Sequence, residues 1–341
     1  MHHQFRHHTN NFWGLPVWDI LFGTFKNPTR FRASDPARVA RASSLRLLFL
    51  QAGTLRYPPG SDLILSMRRK SIFALGILGL YCIVIGLAPF PDRLILFPTT
   101  APIDPGAAQR KTVAYGGGKL EIWTATSKAA QVAGRPDAYF LRFYGNADRA
   151  ERWVGDEARM WGQRAIEVWG MNYPGFGGSS GPARLASIGP AALIAFDALK
   201  REAGDRPIIL FGASMGSTAA LAIAAQRPVA GLILQNPPPL RQMLLRQFGW
   251  WNLWLLAGPL AYKIPHDLDS VANAKQSQAP AIFLLAGRDE VVAPRYQSLV
   301  VDAYAGKKRI IPLPQAGHNS PLESAALEKL NEALTWLLPR R

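Results

Sequence analysis

Ser214 stands in the run Gly212-Ala213-Ser214-Met215-Gly216, between the apolar stretch PIILF and an Ala-rich run. G-x-S-x-G at a strand-to-helix junction predicts a tight, strained turn that exposes a serine hydroxyl. Small flanking residues are required because larger ones would collide with the strand and the helix. A serine hydroxyl is a weak nucleophile until a base accepts its proton, and an acid must orient that base. Downstream, AIFLLAGRDEVVAP places Asp289 just beyond an apolar run, and RIIPLPQAGHNSP places His318 in the loop after the next one. Both follow predicted strand C-terminal ends, the edge where open α/β sheets bind ligands. Taken singly, Asp289 could be a helix N-cap and His318 a loop histidine facing water. All three in the order Ser, Asp, His at strand ends point instead to a catalytic set, with Glu290 as the fallback acid. His266 lies in a helical stretch with no strand before it and is read as a surface residue. Stabilising a tetrahedral oxyanion takes two N–H donors. Met215, directly after the serine, is expected to supply one, and the second should follow the strand AYFLRF.

These residues need a scaffold, and the pattern around them supplies one. TVAYGGGKLEIWTAT reads as a hairpin from its Gly cluster and alternation. AYFLRF (138–143), AIEVWGM (165–171), PIILF (207–211), VAGLIL (229–234), AIFLLAG (281–287) and RIIPLP (309–314) are short apolar runs of the buried-strand type. Helical patterns alternate with them: SIGPAALIAFDALKREA, a run from Ser214 to Gln226, a segment near 296–304, and a last helix to Leu338. The fold class is therefore α/β, a mostly parallel sheet covered by helices on both faces. Between LILQNPPP and AIFLLAG, residues 237–275 form a helical insertion rich in Leu, with Trp250, Trp251 and Trp254. It is read either as a helix packed on the sheet or as a lid or membrane-facing helix that shapes an acyl pocket.

The chain has 341 residues, 48% of them hydrophobic, and a formal net charge of +16. Residues 1–70 hold 11 Lys/Arg against three Asp/Glu, half of that excess. Basic residues beside an apolar run point to anionic lipid headgroups, and no aromatic–basic pattern favours nucleic acid. The single cysteine, Cys82, excludes an intrachain disulfide and a cysteine-built metal site. Ser71–Ala88 carries no charge over 18 residues and follows Arg68-Arg69-Lys70. At ~1.5 Å per residue it would reach ~27 Å, about the hydrocarbon thickness of a bilayer. Pro89 after GLA makes a poor signal-peptide cleavage site, so the segment is expected to be an uncleaved anchor within 67–90. The positive cluster before it predicts a cytoplasmic N-terminal side and an extracytoplasmic (periplasmic) domain over 91–341.

Two resemblances add to this reading. Residues 110–338 resemble the α/β-hydrolase superfamily, nearest a membrane-anchored branch that carries a His-Gly-Asn-Ala loop. Here Tyr144-Gly145-Asn146-Ala147 matches three of those four positions, with Tyr144 in place of His. NYPGFGGSSG (172–181) resembles the Y-x-G-x-G-x-S loop that follows the next strand in that superfamily. The resemblance implies the backbone of Asn146 as the second oxyanion donor, with Tyr144 as the other choice. It implies a serine hydrolase that cleaves a small-molecule or lipid-like acyl bond without a cofactor. Esterase, thioesterase, lipase and peptidase activities all stay open, as does a catalytically silent scaffold of the same fold. Separately, HHQFRHHTNNFWGLPVWDILFGTF near the N-terminus resembles the C-terminal end of the membrane fatty-acid hydroxylase/sterol desaturase family. His3, His7 and His8 match its H-x-x-x-H-H pattern, which there supplies part of a di-iron site. The family's other histidine clusters and membrane helices are absent, so residues 1–66 are read as a basic extension or truncated remnant, with no metal assigned.

Overall fold

The computed structural model describes residues 61–87, 90–248, 255 and 257–338. The N-terminal histidines and hydroxylase-like segment lie outside the described residues, as do Trp250, Trp251 and Trp254. The chain divides into two units at Ala88–Pro89, and the sheet lies wholly in the second.

In the first unit, Ser61–Leu87 is a helix, α1, whose side chains are exposed from Met67 to Leu80. The expected anchor falls on its C-terminal part. Among the described residues no helix is long and apolar enough to cross a membrane.

The second unit is an eight-stranded sheet in the order β1-β2-β4-β3-β5-β6-β7-β8. β1 (Gln109–Tyr115) and β2 (Gly118–Thr126) form the expected antiparallel hairpin. Its two-residue turn is Gly116-Gly117, with φ of 53° and 79°, angles only glycine adopts readily. β2 also runs antiparallel to β4 (Ile166–Met171). From β4 the sheet is parallel through β3 (Ala138–Phe143), β5 (Ile208–Ala213), β6 (Gly231–Gln235), β7 (Ala281–Ala286) and β8 (Lys308–Leu313).

Strand alternation divides the core into two layers. On one face Tyr139, Leu141, Phe143 and Leu210 pack with the helices Leu185–Ala203 and Met215–Ala224. On the other, Phe140, Ile209 and Phe211 pack with Val154 and Ala158 of Ala150–Met160 and with Leu330 and Leu334 of Ser324–Leu337. Burying each of these large side chains contributes about 1.5–3 kcal/mol. All six residues of β3 are buried, as expected of a central parallel strand covered on both sides. One of them is a cation. Arg142 bonds Glu157 Oε1 at 2.7 Å through Nε and stacks 3.9 Å from the Phe211 ring centre. Burial pushes the Glu157 carboxyl above its usual range, against the pull of Arg142.

The insertion is not one long helix. Its described residues form Leu240–Met243, a π-helical turn at Leu244–Phe248, Ala257–Tyr262, a 3₁₀ turn at His266–Leu268, and Ser270–Gln276. Pro265 precedes the 3₁₀ turn, where a ring in place of N–H ends regular bonding.

Candidate active site

The parallel register sets the site. Phe143 pairs with Gly212 and Ala213 with Gln235, so the exits of β3, β5 and β6 stand side by side at one edge of the sheet. Ser214 sits at the exit of β5, at φ 50° and ψ −124°, and the helix Met215–Ala224 starts on the next residue. That backbone conformation is costly for any residue with a Cβ, about 1–3 kcal/mol. Neighbours hold it: Ser214 N donates to Gln235 O at 2.8 Å and Ser217 N to Ser214 O at 2.8 Å. Both flanking glycines are forced. A Cβ on Gly212 would fall 2.6 Å from Ser217 Cα, and one on Gly216 2.5 Å from the Phe143 carbonyl carbon.

His318 reaches Ser214 from the loop after β8. Its Nε2 lies 3.0 Å from Ser214 Oγ, and its Nδ1 lies 2.8 Å from Asp289 Oδ2. Asp289 follows β7 and is buried, while Glu290, the fallback, is exposed. Asp289 Oδ1 accepts from Val291 N at 2.8 Å and Val292 N at 2.7 Å, and Oδ2 accepts from Gln297 Nε2 at 3.2 Å. A carboxylate bonded to Nδ1 leaves Nε2 as the acceptor facing the hydroxyl, an arrangement that can take the serine proton. His266 is exposed on its 3₁₀ turn, as expected.

Two supporting residues escaped the sequence reading. Gln297, 1% exposed, also donates to Ala286 O at 3.2 Å and Val292 O at 2.7 Å. All its Nε2 partners are acceptors, which fixes the amide orientation. Asn236, at φ 48°, accepts from Ala286 N at 2.9 Å through Oδ1 and donates to His318 O at 3.3 Å through Nδ2. It ties the end of β6 to both the acid loop and the histidine loop. The polar pair Gln235-Asn236 directly after LIL was the available signal.

The loop after β3 lies against the serine. A Cβ on Gly145 would sit 3.7 Å from Ser214 Cβ. Among the described residues, the backbone N–H groups of Gly145, Asn146 and Met215 donate to no protein acceptor. They are free to meet an oxyanion. The Tyr144 ring turns away: it is buried, 4.7 Å from Arg142, and its hydroxyl donates to Glu157 Oε2 at 3.2 Å. Burial raises its pKa well above the ordinary tyrosine value. The Tyr144 side chain therefore belongs to the packing behind the loop. The glycine-rich loop after β4 supports the same place, since Tyr173 OH donates to Tyr144 O at 2.9 Å. Asn172 braces that loop by donating to both Glu121 and Glu151 at 2.8 Å and accepting from Ala150 N at 2.8 Å.

Comparison with known proteins agrees with the architecture. The model of the alpha/beta hydrolase fold family matches residues 161–260. An uncharacterised protein of Mycobacterium tuberculosis, found in two strains, is 30% identical over 115 residues, 33% of this chain. The chain spans 38% of the length of these curated relatives. Among solved structures, an esterase from Pyrococcus furiosus aligns with a TM-score of 0.52 at 13% identity, covering 72% of this chain and 98% of its own. Pyrococcus horikoshii acylaminoacyl peptidase aligns with a TM-score of 0.50 at 12% identity, covering 68% of this chain and 40% of its own. The chain has the α/β-hydrolase fold.

Proposed function

We propose that this α/β-hydrolase-fold chain is a membrane-anchored serine hydrolase that cleaves a carboxylic ester or a related acyl bond. The observation that carries the reading is the continuous set of bonds from Asp289 through His318 to Ser214 on a strained turn. Ser214 Oγ attacks the substrate carbonyl as His318 Nε2 takes its proton. The oxygen of the tetrahedral intermediate accepts from Met215 N–H and from the loop after β3, at Asn146 or Gly145. His318 then protonates the leaving group, and the acyl-enzyme is hydrolysed by water with His318 again as base. Asp289 holds the imidazole and stabilises its charged form.

The reading takes a small-molecule or lipid-like acyl substrate. Met243, at the start of the insertion, clusters with Val292 and Tyr296 just past Asp289, so apolar residues of the insertion abut the acid loop. The anchor rests on the charge-free run 71–88 and the basic residues before it. It would leave the domain on the extracytoplasmic side.

The test is labelling of the full chain by a fluorophosphonate probe, alongside hydrolysis of short p-nitrophenyl esters. The wild type should react and Ser214→Ala should not. A wild type that ignores the probe would favour a silent scaffold. Retention of the chain in membranes after alkaline carbonate washing tests the anchor separately; release into the supernatant would sink it.

A further inference from the structure

Asn146 uses its side chain for something the oxyanion role does not need. Its Oδ1 accepts from Phe97 N at 3.0 Å, and its Nδ2 donates to Ile95 O. Oδ1 also accepts from Ala147 N at 3.0 Å, so two N–H donors on one side and a carbonyl on the other fix the amide orientation. Residues 95 and 97 belong to the stretch that leads into the domain, some 50 positions earlier in the chain. That stretch is seated at further points. Asp92 Oδ1 accepts from Leu185 N at 2.8 Å, and Leu96 is buried in the main core. Thr99 O accepts from Gly177 N at 2.9 Å and Arg149 Nη1 at 3.2 Å, and Ala101 O accepts from Arg149 Nη2.

We infer that residues 92–101 are a strap that sets the loop after β3, with Asn146 as the positioning residue that transmits it to the oxyanion donors. The inference rests on the hydrolase reading above. The physical reason is local: Ala147 stands at φ 64°, and Gly145 and Asn146 lie outside any strand. That backbone is held by the Asn146 bonds, by the Tyr173 bond at Tyr144, by Asp148 N donating to Gly145 O at 3.3 Å and by the close approach of Gly216, and of these only the Asn146 side chain ties it to residues 95 and 97. Donors displaced by about 1 Å can lose about 100-fold in rate without losing substrate binding.

The experiment uses the full chain with Asn146→Ala, Asn146→Asp and Asp92→Ala, each checked for folding by circular dichroism. Asn146→Asp keeps the acceptor for Phe97 N and removes the donor to Ile95 O, so it serves if the alanine variant does not fold. Asp92→Ala loosens the strap at its bond to Leu185 N. The expected result is a kcat lowered about 10- to 100-fold with KM within about twofold for both Asn146 variants, and a smaller fall in kcat for Asp92→Ala. The Asn146→Asp/Asp92→Ala double variant should be no slower than Asn146→Asp alone, because one strap is released either way. Folded Asn146 variants that keep kcat within threefold, or that raise KM alone, overturn the strap. A wild type without probe labelling would overturn the hydrolase reading instead, so the two failures are distinguishable.

Discussion

Gly216 lies against Phe143 so closely that a Cβ would fall 2.5 Å from the Phe143 carbonyl carbon and 2.8 Å from Tyr144 O. The first turn of the serine's helix and the end of β3 are thus in backbone contact, and the spacing between Ser214 and the loop after β3 is set there. Gly216→Ala must push one from the other. It should destabilise the protein by at least about 3 kcal/mol and abolish probe labelling in whatever folds. Gly145→Ala is the contrast, since its methyl would meet Ser214 Cβ at an ordinary 3.7 Å. That variant should keep its melting temperature within about 3 °C and lose activity through a raised KM. Thermal melts and ester kinetics on the pair check both.

Asp289→Asn should cost about 10³- to 10⁴-fold in kcat with little change in fold. Val291 N and Val292 N both point at Oδ1, so the amide oxygen will stay there and the NH₂ group will replace Oδ2. That group faces His318 Nδ1 and Gln297 Nε2 as a donor. The imidazole must then turn its acceptor to Nδ1 and present N–H to Ser214, the tautomer that cannot take the proton. Steady-state kinetics check the loss. A fall below tenfold would count against Asp289 as the orienting acid.

Much of this was legible in the sequence because the site sits where strands end. Ser214, Asp289 and His318 each follow an apolar run, and period and punctuation locate such runs without tertiary information. Asn236 and Gln297 were not legible in the same way, because their partners, the Asp289 carboxylate and backbone groups of other strands and loops, are set by the fold and leave no local pattern. In the insertion the described residues are helical as read, but helical spacing of apolar residues does not mark where one short helix stops and the next begins. The role of Asn146 was read from its backbone alone, because a bond to a residue 49 positions away leaves no local pattern.

Glu157→Ala tests the buried pair behind the site. It would leave Arg142 charged, buried and without its carboxylate partner, which costs about 3–5 kcal/mol. A melting temperature about 10 °C lower is expected for a domain of this size. Replacing both residues by apolar ones, Arg142→Met with Glu157→Leu, should recover most of that loss, because no stranded charge remains. Equal destabilisation in the single and double variants would mean that the pair's geometry, and not the stranded charge, carries the cost.

Ser214→Gly should raise stability while removing activity. At φ 50° and ψ −124° the serine occupies backbone space that glycine enters without strain. Relief of about 1–3 kcal/mol outweighs the extra entropy glycine carries in the unfolded chain, about 0.5–1 kcal/mol. A net gain of about 1 kcal/mol corresponds to a melting temperature about 2–4 °C higher. Ser214→Ala retains the Cβ and therefore the strain, so it should lose activity without that gain. The comparison isolates the backbone from the hydroxyl, since both variants lose the bond to His318 Nε2. If glycine and alanine melt together, the turn is not strained, and the hydroxyl is presented by side-chain bonds alone.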